Sequence, residues 1–328
     1  MRGRLTALDV AALAICTLAW GITWFTITLQ LGVVDPVVSL VYRFTLAALV
    51  LASWARLRRE PVKLNGRQHA AAAGVGLFMF AADYALTYAA ELRIVSGLVA
   101  LLFATLAFVN LVLFRALLGQ RAPRHAWMAA AVGAAGVALL SWSEIVQSRL
   151  DSSTVVGIAL AFGAVLLSGI GNVFAYRGEA AGAPLAASTA WAMGYGALAL
   201  ALYAAVTGKH WSFEPTARYV LSLCYLALVG SVLAFTLYFG LARRRGYTIA
   251  SYILALTPLL AMAMSSLFEH KRWPPVTLVG VALVLWGQWQ LLRTRPVESA
   301  TSAQPASSAA LRALAPTAPA PAPQQQRR

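Results

Sequence analysis

Asp83 stands in the apolar stretch GLFMFAADYALTYAA (76–90), and Arg43 in the apolar stretch VDPVVSLVYRFTLAALVL (34–51). An ionised side chain at the centre of a membrane helix costs about 2.5–3.5 kcal/mol on insertion scales. Each charge therefore needs a partner, water or a job. Arg43 lies seven residues past Pro36 and Asp83 eight residues before Glu91. At a rise of about 1.5 Å per residue both sit about 10–12 Å inside their runs. Three readings follow. The two form a fixed ion pair between neighbouring helices; or either lines a cavity and binds a charged substrate group or a proton; or Asp83 is protonated and simply hydrogen-bonded.

Aromatic and hydroxyl groups reach similar depths. Trp20, Thr23 and Trp24 fall in one run, with Trp20 and Thr23 three apart and so on one helical face. Tyr84 and Tyr88 follow Asp83. Asn172 and Tyr176, and Trp191 and Tyr195, are each four apart, and Tyr238, Ser251, Tyr252 and Thr257 lie in later runs. Most membrane aromatics are packing groups or interfacial anchors. Those well inside their runs suit a cavity wall for an apolar or aromatic substrate part. The candidate substrate-binding set is Trp20, Thr23, Trp24, Arg43, Asp83, Tyr84, Tyr88, Trp191 and Tyr252. Asn110 and Asn172 read as interhelical hydrogen bonders. Pro258 frees one backbone carbonyl, which Ser251 or Thr257 can satisfy, and kinks its helix or serves as a hinge.

Enzyme chemistry finds no support. The spans hold histidine only at their ends and no paired carboxylates, and no nucleophile elbow or phosphate loop occurs. His69, His125, His210 and His270 lack metal-ligand spacing, and Cys16 and Cys224 read as small buried hydrophobes. No cofactor and no metal is expected.

The elements that must hold these groups are set by composition. Of 328 residues, 60% are hydrophobic and 11% charged, against about a quarter charged in a soluble globule. The expected solvent is lipid. Apolar runs at 8–30, 36–55, 69–90, 94–114, 125–142, 154–176, 184–206, 217–241, 247–268 and 275–293 are each long enough to approach the roughly 20 residues a bilayer crossing needs. The fold class is thus all-α, a polytopic membrane protein of ten transmembrane helices. The first run is too long for a signal peptide and lacks a clear cleavage site, so it reads as a retained helix. Short connections make neighbouring helices antiparallel. With the N-terminus inside, sixteen Lys and Arg residues fall on the inner side and six on the outer, which places both termini in the cytoplasm. The same clustering accounts for the net charge of +15 without nucleic acid. Residues 296–328, rich in Pro, Ala, Ser and Gln, read as a disordered cytoplasmic tail.

The chain repeats itself. A shift of 148 residues pairs Pro36 with Pro184 and Arg43 with Trp191; AVGAAGVALL (131–140) resembles LVGVALVLWG (278–287), and ALLFATLAFVNLVLF parallels YILALTPLLAMAMSSLF. The halves are 1–148 and 149–295. Five spans per half put the second copy into the membrane from the opposite side, giving two inverted five-helix repeats, a plan common in secondary transporters with a midplane site. Gly133, Gly136, Gly157, Gly163 and Gly280 are placed to let helices approach closely.

LAWGITWF, DPVVSLVYRF, LLGQRAPRHAWMAAAVGAAGVALL, LALTPLLAMAMSSLFE and VGVALVLWG, in this order, resemble the EamA type of the drug/metabolite transporter superfamily over nearly all of residues 8–293. The resemblance implies ten helices in two repeats and movement of small metabolites, amino acids and related compounds among them. Two departures affect loops: Gly119-Gln120 stands where the family usually has Gly-Glu, and EHKRWPP, from Glu269 onward, is longer than usual. The expectation is an inner-membrane secondary transporter of small organic metabolites, with export as the expected direction and alternating access as the mechanism. Protons are the candidate coupling ion, and the partners are a small-molecule substrate and the lipid bilayer. A facilitative uniporter, and a sensor or assembly protein without flux, are the alternatives. Reporter tags at residues 150 and 300 are expected on opposite faces of the membrane; accessibility labelling in whole cells checks this, and both tags on one face would overturn the inverted arrangement.

Overall fold

The computed structural model of the chain describes residues 6–120, 122–147, 151–250 and 252–293; the expected tail at 296–328 lies outside them. The described residues are helical and contain no strand. In chain order they form α1 (Ala7–Thr28), α2 (Pro36–Leu57), α3 (Gly66–Glu91), α4 (Ser96–Leu118), α5 (Arg124–Gln147), α6 (Ser152–Ala180), α7 (Leu185–Val206), α8 (Ala217–Arg245), a short turn (Tyr247–Ala250), α9 (Tyr252–Phe268) and α10 (Pro275–Arg293). Helix therefore covers all ten apolar runs. By length and composition, seven of these helices can cross a membrane: α1, α2, α3, α4, α6, α7 and α8. Leu256–Phe268 and Pro275–Gly287 are shorter apolar helices.

Local chemistry sets the ends. Thr6 and Asp9 form a capping box at α1, Asn65 and Gln68 another at α3, and Asp35 caps α2 ahead of Pro36. Asp151 accepts from Thr154 N at the start of α6. Gly119 closes α4 with a φ of 66°, a left-handed conformation that suits glycine.

The two halves do not fold side by side. They interleave within one compact unit, and most packing crosses between them. α1 packs on α8 and α9, while α6 packs on α3 and α4, which is the same pattern with the halves exchanged. α2 packs on α7 and α5 on α10, each joining equivalent helices; α3 packs on α7 as α8 packs on α2. A further parallel was not visible in the sequence. The third helix of each half carries π-helical turns, Gly76–Ala82 in α3 and Tyr225–Leu233 in α8.

Glycines make the crossings close. A Cβ on Gly136 would sit 2.8 Å from the Gly280 carbonyl oxygen, and one on Gly287 would sit 2.7 Å from that of Ala129. At the α3–α7 crossing, a Cβ on Gly76 would come within 2.5 Å of the Ala192 oxygen. Gly133 faces the Phe108 ring, Gly157 faces Ile94, and Gly163 faces Leu86, so the expected packing roles hold at these positions. Gly136→Leu is expected to destabilise the protein by about 1–3 kcal/mol. Gly194→Ala, whose new atom would meet only Ala48 at 4.0 Å, is expected to leave stability equal or slightly higher. Unfolding midpoints of both variants in detergent check this; equal midpoints would refute the close-contact argument.

Candidate functional site

The largest concentration of polar chemistry inside the helices surrounds Arg43. This side chain is fully buried. Its Nε donates to Ser231 Oγ at 3.0 Å, Nη1 to the Tyr88 hydroxyl at 3.5 Å and Nη2 to the Tyr84 hydroxyl at 3.4 Å. The guanidinium also lies 4.6 Å from the Tyr84 ring centroid and 5.3 Å from that of Phe44, within the range of cation–π attraction. The Tyr88 hydroxyl in turn donates to Gln30 Oε1 at 3.1 Å. Helices α2, α3 and α8 and the end of α1 are thereby joined through one cation.

The π turns of α8 supply one of the three acceptors of Arg43, Ser231. In a π turn the carbonyl register shifts by one residue, which exposes groups an α-helix would consume. Ser231 donates to the Leu226 carbonyl, five residues back, while accepting from Arg43. Gly230 has its carbonyl free to accept from Trp20 Nε1 at 3.0 Å. A Cβ on Gly230 would lie 2.9 Å from Thr23 Oγ1, so glycine lets α1 reach these turns.

Asp83 is buried one layer away. Its Oδ1 accepts from Thr87 Oγ1 at 3.2 Å, and the Ser168 hydroxyl of α6 is a second hydrogen-bond partner. Among the described residues no ion pair within 4.0 Å joins Asp83 to Arg43. The fixed-pair reading is therefore corrected: equal depth on α2 and α3 does not bring the two together, because Arg43 is held by Ser231, Tyr84 and Tyr88 and Asp83 by Thr87 and Ser168.

Between these layers lies a pocket lined by Trp20, Thr23, Trp24 and Ile27 of α1, Met79, Asp83, Tyr84 and Thr87 of α3, Phe103 and Leu106 of α4, Ser168 of α6, Phe235 and Tyr238 of α8, and Leu254 of α9. Both halves contribute. Trp20 packs against Phe235 and Tyr238, and Trp24 against Phe103. The space open to water centres is about 40 Å³, room for about three waters. Trp24 Nε1 is buried with no acceptor among the described residues.

Of the candidate set, Trp20, Thr23, Trp24, Asp83 and Tyr84 meet in this pocket. Arg43 and Tyr88 do not line it; they stand behind Tyr84. Trp191 lies elsewhere: it is 43% exposed, donates to the Val62 carbonyl at 3.1 Å and stacks on Tyr195. An indole anchored to a loop backbone and facing outward has no access to the pocket. The Tyr252 side chain is outside the described residues. Sequence reasoning missed Thr87 and Ser168 as carboxylate partners and Phe235, Phe103 and Leu254 as walls. Thr87, four residues after Asp83, carried the only local signal. Asn172 donates to Asn110 and accepts from Tyr238, the interhelical role expected. Thr257 donates to the Leu254 carbonyl, the group that Pro258 leaves without its backbone donor.

The EamA-like transporter family model matches residues 8–142 and again residues 155–292. The chain belongs to the EamA-like transporter family. The two matches cover most of the chain and fall on its two interleaved halves, so this is a two-repeat, all-helical transporter fold. Curated relatives include Protein PecM of Dickeya dadantii (strain 3937), 26% identical over 84% of this chain and 89% of that protein. Another is the uncharacterized inner membrane transporter YedA of Escherichia coli (strain K12), 25% identical over 81% of this chain and 86% of that protein. A solved crystal structure aligns with a TM-score of 0.64 over 89% of this chain and 99% of its own, at 17% identity, a likeness of fold alone.

Arg43→Lys keeps the charge but loses the planar fork that reaches three acceptors. It is expected to lower stability by about 2–3 kcal/mol, read as a lower unfolding midpoint in detergent. An unchanged midpoint would mean that the network does not hold the helices.

Proposed function

We propose that this family member is an inner-membrane secondary transporter of small organic metabolites that works by alternating access around the pocket at Asp83. Its spans form two inverted five-helix repeats, residues 1–148 and 149–295, with both termini and the tail at 296–328 in the cytoplasm. The observation that carries the reading is the pocket itself: a carboxylate and aromatic walls drawn from both halves, deep among apolar helices. The exchange pattern of helix packing and the matched π turns support a two-fold relation between the repeats. Binding at such a repeat junction, with one half rocking against the other, is how inverted-repeat transporters expose a site alternately to each side.

The space at Asp83, about 40 Å³, is too small for a metabolite, so substrate entry requires helices to part. One fastening is evident where α1 begins and α8 ends. Buried Asp9 accepts from Arg244 Nε at 3.2 Å and pairs with Arg245 Nη2 at 2.6 Å. In the proposed topology this is the cytoplasmic end, and its release opens the pocket inward. Export is the proposed direction and a proton the proposed coupling ion; a facilitative uniporter with the same pocket is the runner-up. The amino acids and related compounds implied by the family resemblance are the first substrates to screen.

The purified protein in liposomes, screened against a metabolite panel with and without a pH gradient, is expected to move at least one organic metabolite. Asp83→Asn is expected to abolish that flux while leaving folded protein in the membrane. Full transport by Asp83→Asn at every pH would remove Asp83 from the mechanism, and no flux of any compound would favour a sensor or assembly role.

A further inference from the structure

Inside the helices around the pocket, carboxyl groups outnumber cations. Asp83 lines the pocket, and Glu91, one further turn pair along α3, is buried with neither carboxyl oxygen hydrogen-bonded among the described residues. Glu269, half-buried at the end of α9, accepts from the Ser96 backbone and hydroxyl and acts electrostatically on Glu91. Arg43 is the cation that acts on both Asp83 and Glu91. It does not line the pocket, and its three donor nitrogens are already directed at Ser231, Tyr84 and Tyr88.

The pocket wall repeats this bias. Among the described residues Asp83 is its one charged side chain. Thr87 and Ser168 donate to that carboxylate, which holds it in place and leaves further acceptor capacity, since a carboxylate offers about four lone-pair sites. Around it stand the rings of Trp20, Trp24, Tyr84 and Phe235, of which Tyr84 already holds the Arg43 guanidinium over its ring. Ring faces carry the negative end of the aromatic quadrupole and attract cations. The spare donor, Trp24 Nε1, is neutral and suits a hydroxyl or carbonyl oxygen. Among the described residues no group on the wall offers a counter-charge to an acid.

We propose that this pocket takes amphiphilic organic cations, a protonated amine on a flat apolar body, with the ammonium on Asp83 and the body between Trp20, Trp24 and Tyr84. The proposal rests on the transporter reading above and narrows its substrate class. A free carboxylate finds no partner in the pocket, so simple amines bind better than the corresponding acids, and an amino acid's acid group gains nothing there. Binding needs Asp83 ionised, with Arg43, Glu91 and Glu269 as the charged groups that face it and its helix from α2, α3 and α9.

The test uses the full chain in lipid nanodiscs and two probes with the same ring and opposite charge, 2-phenylethylamine and 3-phenylpropionate, measured by equilibrium dialysis. The amine is expected to bind, and the acid to bind at least about tenfold more weakly. Asp83→Asn is expected to weaken the amine by about tenfold to a hundredfold, and Asp83→Glu to retain most of the affinity. Should Asp83→Asn not fold, the charge preference of the unaltered protein and the Asp83→Glu variant decide. Equal or tighter binding of the acid, or amine binding indifferent to Asp83→Asn, overturns the proposal. If neither probe binds while the liposome screen finds another metabolite moving, the substrate class is wrong and the transporter reading stands. If nothing moves in that screen although the amine binds, the binding site stands and the transporter reading falls.

Discussion

Lipid offers no hydrogen bonds, so every polar group carried into the bilayer must be satisfied by protein. Arg43 is where this constraint presses hardest. A guanidinium has five donors and cannot be neutralised, and here it is fully buried. Its acceptors come from α3 and from the π turns of α8, and its charge is shared with two aromatic faces. Because the acceptors belong to both halves, the network that makes the cation tolerable also fixes how the halves meet. The pocket is a by-product of the same arrangement. Tyr84 turns its hydroxyl to Arg43, and Asp83 faces the cavity without an ion pair to that cation.

The π turns repay attention as a pair. One segment in each half occupies the corresponding helix, at the crossing where the other half's second helix passes. In α8 the altered register turns Gly230 and Ser231 toward α1 and α2. In α3 it precedes Asp83 directly, with Gly76 and Gly196 allowing α7 to lie against it. A uniform α-helix would spend these carbonyls on itself. In α8 the carbonyls of Leu226 and Gly230 find side-chain partners in Ser231 and Trp20.

Much of this was legible in the residues, and the failures are instructive. Apolar runs located every helix because span length and composition are set by the solvent. Trp20, Thr23, Trp24, Asp83 and Tyr84 were readable as cavity residues because polar or amphipathic groups deep in a run have few other places to face. Depth, however, says nothing about direction around the helix. Arg43 and Asp83 share a depth and still reach separate partners, and Trp191, placed well inside its run, faces outward. Thr87 and Ser168 escaped notice because membrane hydroxyls usually return to their own backbone, as Thr23 does to the Ala19 carbonyl. Neither the π turns nor the interleaving of the halves leaves a mark on hydropathy, since both arise from contacts between distant segments.

Interleaving has a consequence for biosynthesis. When the ribosome has delivered α2, the serine that will receive Arg43 Nε is still 188 residues away in the chain. The nascent first half must enter the bilayer with the Nε of its guanidinium unsatisfied, since it carries only the Tyr84 and Tyr88 acceptors. Until α8 emerges, that N–H has to find water, a headgroup or the insertion machinery. The first five helices cannot settle until the later ones arrive, and a chain interrupted between the repeats would present quality-control proteases with a stranded charge.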